Sequence, residues 1–591
     1  MADGKSIMRV FKGQIGSPGI AVGLAYLVDR GKLRVPMRMV MAEMVLLEKK
    51  RFSDAIQLSR EQLQSALERD LSEDHRQILD AHLAWTVDQY MIDEVEKLIE
   101  NDYINAEWAT KKLFDGLNAT LASEAKRTRV ERSQLFDEVF HRIMSNLMGV
   151  QQETLDTVPR NVILVAHSLS PADMAHFDRS RIIGMATDIG GPTSHASILA
   201  RGMELPGVVG LEHIATEVQT GDLVIIDALE GSVIVNPTLL VVDKFQQRLS
   251  LFEEQETRLL EIRDMPATTK DGKEITIQAN MEFLDEIEVM KRHGVKDIGL
   301  FRSEFIFLLK GGVATEEEQY EVYSKLLQSV GSNSVVTIRT LDLGSDKLVE
   351  ELNPPSETNP AMGLRAIRFC LEREDIFKDQ LRALLRASVF GKLRIMFPMI
   401  SGLGELRKVK YVLDEVRQEL ELEGIEFADN IDVGIMIEVP SAAVIADVLA
   451  EEVDFFSIGT NDLIQYTLAV DRSNEHVSHM FKSTHSAILR LIKQTIEAAT
   501  AAGIDVSMCG EMGGDVQMTM LLIGLGVSSF STNPAQALHV KQLVRQIDSK
   551  SAVEFANKAI NMNVCGEMSR FIKEEMSERF PEIFEKFTWT I

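Results

Sequence analysis

The run Val433-Gly-Ile-Met-Ile-Glu438 is followed by a helix-favouring stretch, Ala442 to Ala450, and then by Asp454-Phe-Phe-Ser-Ile-Gly-Thr-Asn-Asp462. Two short apolar runs rich in β-branched and aromatic residues, with a helix between them, make the repeating unit of a parallel sheet. The same rhythm recurs on both sides. Strands are expected at Ile275–Ala279, Asp297–Leu300, Val335–Arg339, Leu393–Phe397, Val433–Ile437, Asp454–Ile458, Asp505–Met508 and Val527–Phe530. Eight strand–helix units over roughly 300 residues fit a (β/α)8 barrel, and an open doubly wound sheet fits the same periodicity.

The residues just after each run narrow the chemistry. In order these are Asn280, Arg302 with Glu304, Arg339 with Asp342, Met399, Glu438, Asn461 with Asp462, Cys509 with Glu511, and Ser531 with Asn533. Barrel enzymes keep their reacting groups at the C-terminal ends of the strands. Helix capping accounts for some of these residues, but Arg302, Arg339, Glu438 and Cys509 are not capping types. Arg302, Arg339 and Arg472 offer permanently charged planar forks for phosphate or carboxylate. Glu438 and Asp462 are oxygen ligands of the kind Mg²⁺ shares with a substrate phosphate. Cys509, followed by Gly510-Glu511, is a small thiol at a strand end, and buried cysteines are ordinarily inert core residues.

The first half of the chain has a different texture. Gly13 to Val28 predicts strand–turn–strand, and strand-like runs return at Val162–Ala166, Ile182–Ala186, Val208–Val209, Leu223–Ile226 and Val233–Val235. Between them lie long charged amphipathic helices with Phe52, Ile56, Leu63 and Leu67 at helical spacing. The expected organisation is a small α/β domain from residues 1–35 and 150–240 that carries an inserted helical domain, 36–149. After these come a linker helix over 241–268, the barrel over 269–550 and a helical extension over 551–591. The solvated cap is the default expectation for that extension.

Within the α/β domain, Gly190-Gly-Pro-Thr-Ser-His195-Ala-Ser-Ile-Leu-Ala-Arg-Gly202 reads as a helix start, with Thr193 or Ser194 as cap and Gly202 as stop. An imidazole at that helix end is biased toward its neutral, nucleophilic form, and the free N–H groups there suit a phosphoryl group. A surface helix that happens to carry a histidine explains the same residues.

Composition sets the outer bounds. The 591 residues carry a net charge of −27, with 45% hydrophobic and 26% charged residues. Such a field argues against nucleic acid or an anionic membrane as the main partner and would attract a basic protein. Nothing resembles a secretion signal or a membrane span, and Cys370, Cys509 and Cys565 stand far apart. A cytoplasmic protein without disulfides is expected.

The stretch from Asp454 to Arg472 resembles a signature of the phosphoenolpyruvate-utilising enzymes, with Ile464 where threonine is usual. The His195 run is a second independent match. Further agreement lies in Gly299 to Phe305, Ile338 to Gly344, Arg394 to Met399, Gly434 to Glu438 and Cys509 to Met512. Over nearly its whole length the chain is similar to the enzyme I family of bacterial sugar phosphotransferase systems. The resemblance implies phosphoryl transfer from phosphoenolpyruvate to Nε2 of His195 and then to the phosphocarrier HPr, releasing pyruvate.

By the same resemblance Arg302, Arg339, Asn461 and Arg472 hold phosphoenolpyruvate, Glu438 and Asp462 bind Mg²⁺, and Cys509 protonates the enolate. It also implies HPr docking on the helical block, a swinging histidine domain with its hinge at Val242 to Arg263, and a homodimer formed through the barrel. The chain departs from the family pattern at Asp80-Ala-His82, Arg132 to Arg142, Pro192 and Ser486. Alternatives are a pyruvate–phosphate dikinase or phosphoenolpyruvate synthase, and a regulatory paralogue that has lost catalysis. The first would place a nucleotide-binding domain before the histidine domain. The second would be expected to lack at least one residue of the set.

Overall fold

A computed structural model describes residues 8–28, 35–67, 89–121, 142–148, 159–169, 181–191, 204–310, 312–343, 359–472 and 476–584, with single positions 83, 86, 139, 140, 197, 200, 201 and 474. The chain divides into two units, Met1–Gln255 and Glu256–Ile591. In the first, strands β1 (Arg9–Lys12), β2 (Gln14–Ser17), β3 (Ile20–Val28), β4 (Val162–Ala166), β5 (Ile182–Thr187), β6 (Gly207–Val209), β7 (Leu223–Asp227) and β8 (Ser232–Val235) form one sheet. Its order is β1-β8-β7-β3-β4-β5-β6-β2. The run β3-β4-β5-β6 is parallel. Strand β4, Val-Ile-Leu-Val-Ala, is buried at every position, as a central parallel strand covered on both faces must be. Strand β1, which pairs with β8, was not expected from the sequence.

Between β3 and β4 lie helices α1 (Val45–Leu67), α2 (Gln89–Asp102) and α3 (Ala106–Leu121). Phe52 and Ile56 bury against Met91, Val95, Ile99 and Phe114, so the predicted apolar stripe is the seam of a helical core. Leu63 is buried as well. The Leu67 side chain lies outside the described residues, as do Asp80 to His82 and Arg132 to Glu138.

Helix α4 (Leu239–Glu261) contains the boundary between the units. In the first unit Val242 and Phe245 pack on Ile20, Ile225 and Ile234, and Arg248 pairs with the buried Asp227 at 2.5 Å. In the second, Leu259 is fully buried, and Lys541 Nζ donates to the Arg263 carbonyl at 2.6 Å. Both ends of the expected hinge are thus anchored.

The second unit closes. Strands β9 (Thr276–Met281), β10 (Ile298–Arg302), β11 (Val335–Arg339), β12 (Lys392–Phe397), β13 (Asp432–Ile437), β14 (Phe455–Ile458), β15 (Asp505–Met508) and β16 (Ser529–Thr532) form a parallel barrel, with β16 pairing back to β9. The open-sheet alternative is excluded by that last pairing. Helix α5 (Thr460–Leu468) comes after β14, α6 (Val516–Leu525) precedes β16, and α7 (Ala537–Val544) comes after it.

The extension does not behave as a solvated cap. Helices α8 (Ser549–Ile560) and α9 (Cys565–Arg579) contribute Ala552, Phe555, Ala556, Met568, Ile572 and Met576 to the main barrel core. Gly524 of α6 lies so close to α8 that a Cβ there would collide with the Ala552 carbonyl.

Candidate active site

Because all eight barrel strands are parallel, the residues ending each one share a rim. Arg302 and Arg339 are the last residues of β10 and β11, and Glu438 comes directly after β13. Asn461 and Asp462 occupy the first turn of α5, Arg472 lies just beyond that helix, and Cys509 comes directly after β15. Every predicted barrel site residue therefore sits at the same end of one closed sheet. His195 lies outside the described residues, while Ser197, Ala200 and Arg201 beyond it are helical, as the predicted helix requires. The Ser197 hydroxyl donates to the Gly191 carbonyl at 2.7 Å, joining that helix to the glycine pair.

The rim is held by ion pairs. Arg302 bonds Glu282, and Arg339 bonds Glu304 and lies 2.9 Å from Asp342. Arg365 bridges Asp342 at 2.9 Å and Asp462 at 3.3 Å, and donates to the Tyr466 hydroxyl at 2.9 Å. Burial alone would lower the affinity of the Arg339 and Arg365 guanidiniums for their protons, but the carboxylates around them outweigh it and both are held more firmly charged than usual. Arg339 Nε and Glu304 Oε2 are buried without a hydrogen-bond partner. Unmatched charged atoms of this kind mark a site completed by something else, water or ligand.

Glu438 is 1% exposed. One of its oxygens accepts the Met399 N–H at 2.7 Å, and Met399 adopts a positive φ of 59° to deliver it. Burial, then the like charges of Asp462 and Asp342, pushes the Glu438 carboxyl well above the usual carboxylate range. A nearby cation would relieve that. Among the described residues no group of three or more His, Cys, Asp or Glu is placed to hold a metal. Two carboxylates, Glu438 and Asp462, fit Mg²⁺, which takes one or two protein carboxylates and fills its shell with water and substrate oxygens.

Cys509 is 2% exposed and packs with Leu300, Met396, Met436 and Phe455. This apolar setting pushes its thiol up to about 11. Its backbone N–H donates to the Ile458 carbonyl at 3.1 Å, and Asn280 Nδ2 donates to the Cys509 carbonyl at 2.9 Å. The Cys509 backbone is thus fixed from two sides, and its thiol donates to the same Ile458 carbonyl at 3.5 Å.

Sequence reasoning missed Arg365, Tyr466 and Glu282 as parts of this network. Arg365 lies far beyond the end of β11, where the strand-end pattern gives no signal. Glu282 stands directly after β9 and was legible by the rule that found the others.

Similarity to known proteins extends over nearly the whole chain. The family described as PEP-utilising enzyme, PEP-binding domain matches residues 256–549, its mobile domain matches 158–231, and its N-terminal domain matches 12–132. A phosphoenolpyruvate-protein phosphotransferase of Haemophilus influenzae is 38% identical over 572 residues, 96% of this chain and 99% of that one. Its counterpart from Listeria monocytogenes is 40% identical over 576 residues, covering 96% and 100%. The Bacillus subtilis protein of the same name is 38% identical over 570 residues, again covering 96% and 100%.

Proposed function

Since this chain belongs to the phosphoenolpyruvate-utilising enzymes, among the phosphoenolpyruvate-protein phosphotransferases, we infer that its barrel rim is the donor site of a two-step phosphoryl relay. The observation that carries this is the convergence of Arg302, Arg339, Glu438, Asn461, Asp462, Arg472 and Cys509 at one end of one barrel. Arg302, Arg339, Asn461 and Arg472 hold the phosphate and carboxylate of phosphoenolpyruvate. The ion pairs behind Arg302 and Arg339 fix both forks before substrate arrives, so little orientation is left to pay for at binding. Glu438 and Asp462 are the residues that would hold Mg²⁺, which when bound supplies positive charge opposite the phosphate oxygens.

In the first step the bond between phosphorus and the enol oxygen breaks, and one forms to Nε2 of His195. The enolate left behind takes the Cys509 thiol proton at C3 and becomes pyruvate. A thiol kept protonated by burial is the right form of cysteine for an acid, whereas a nucleophilic cysteine needs a depressed pKa. In the second step the phosphoryl group leaves His195 for a histidine of the carrier HPr, docked on the helical block. The strongly acidic charge of the chain favours a basic carrier. The protein works as a homodimer joined through the barrel, whose outer surface exposes Val444, Val448 and Met480. No described helix is long and apolar enough to cross a membrane.

Incubation with phosphoenolpyruvate labelled in the phosphate, with Mg²⁺, should leave acid-labile, base-stable label on the protein. His195→Ala should abolish it. Label that persists in the variant would sink the assignment.

A further inference from the structure

Glu511 lies two residues beyond Cys509, on the loop after β15, and reaches the start of α5, which follows the neighbouring strand β14. Its Oε1 accepts a hydrogen bond from Asn461 Nδ2 at 3.0 Å, while its own backbone N–H donates to Asn461 Oδ1 at 3.2 Å. The same Oε1 stands 3.8 Å from Arg472 Nη1. The loop is seated closely, because a Cβ at Gly510 would collide with the Thr460 hydroxyl and approach its N–H. Two loops from neighbouring strands are therefore latched to each other through one carboxylate and one amide.

We propose that Glu511 is a positioning residue that orients the Asn461 amide for phosphoenolpyruvate and occupies Arg472 until the substrate replaces it. This rests on the assignment of the rim as the phosphoenolpyruvate site. The chemistry comes from the donors and acceptors of an amide. With Oδ1 taken by the Glu511 N–H and one amide hydrogen by Oε1, a flip of Asn461 would set NH₂ against N–H and oxygen against carboxylate. Only one orientation satisfies both contacts, and it leaves the second amide hydrogen for an anion. The contact with Arg472 is of a different kind. Both partners are largely exposed, 48% and 79% at the side chain, and such a pair holds weakly. A substrate dianion can take Arg472 from it at small cost, and an empty site is spared an uncompensated cation.

The amide latch and the charge can be separated by substitution in the full chain. Glu511→Gln keeps an oxygen acceptor for Asn461 and removes the charge; Glu511→Ala removes both. Steady-state pyruvate release, followed with the phosphocarrier HPr present to take the phosphoryl group from His195 at each turnover, should show Glu511→Ala losing about tenfold in kcat/KM for phosphoenolpyruvate, the size expected for one lost hydrogen bond to a charged group. Glu511→Gln should recover most of kcat, with KM for phosphoenolpyruvate equal to or below that of the unsubstituted protein. Thermal melts should be the same for all three, since the side chain is exposed. An Ala variant with unchanged kinetics, or a Gln variant impaired as much as the Ala variant, would overturn the proposal. If the unsubstituted protein releases no pyruvate from phosphoenolpyruvate, the assignment of the rim itself fails and not the role of Glu511.

Discussion

Cys509 is useful because it is buried. In the apolar nest of Leu300, Met396, Met436 and Phe455 the thiolate is disfavoured, and the group stays a thiol until about pH 11. Alkylation by iodoacetamide, which needs the thiolate, should be slow at pH 7 to 9 and accelerate only on approach to that value. Cys509→Ala should slow pyruvate release while leaving phosphoenolpyruvate affinity, measured calorimetrically, nearly intact. Unchanged release would remove the proposed acid role. At this scale the sequence was informative in an uneven way. Arg302, Arg339, Glu438 and Cys509 stood out because their residue types do not belong at ordinary strand ends. Arg365 escaped because its site position depends on the path of the chain after β11, which no local pattern encodes.

Among the elements, helix α4 shows most clearly what a local reading leaves out. Its charged, amphipathic run was legible as a helix, but not that its two ends belong to different cores. In the second unit Glu256 lies 3.4 Å from Nε2 of His539 on α7, with His293 near both. Burial lowers His539 to about 4, so this contact is that of a neutral imidazole and not an ion pair. Linkage sets the sign of the pH effect. The unfolded chain takes up the His539 proton near pH 6.5 and the folded one only near 4, so this contribution to stability is full above 6.5 and fades as pH falls toward 4. His293, also lowered by burial, adds in the same sense, whereas Glu256, raised by burial, opposes it. Thermal melts of His539→Gln against the unsubstituted protein should isolate the effect as a shallower loss of Tm over that window. Parallel slopes would show that His539 is protonated in the native state. Strand positions were legible with small errors because β-branched runs announce themselves. Barrel closure was not, since it depends on β16 meeting β9 across more than half of the unit.

For the molecule as a whole, the extension beyond α7 changes the definition of the barrel. Its helices looked like a charged surface cap because half of each is indeed polar, and the apolar half has no partner nearby in sequence. The partner is α6, an almost wholly apolar helix that would face water if α8 were absent. Ending the chain after Asp548 should therefore yield an insoluble or molten second unit, seen as lost near-ultraviolet circular dichroism with far-ultraviolet signal retained. A milder probe is Phe555→Ala at a site only 1% exposed, expected to cost about 3–5 kcal/mol in a denaturant melt of that unit. A cost below about 1 kcal/mol would mean that the extension contributes little to the barrel.

That dependence has a temporal side. Synthesis delivers the chain from the N-terminus at about 5–20 residues per second. Strand β8 completes the first sheet while the entire barrel is still to come. The barrel has no such head start, because Ile572, Met576 and Ile583 complete its core and emerge only after all eight strands. Until α8 and α9 have emerged, the apolar face of α6 waits uncovered, and this interval is when the nascent protein most needs a chaperone.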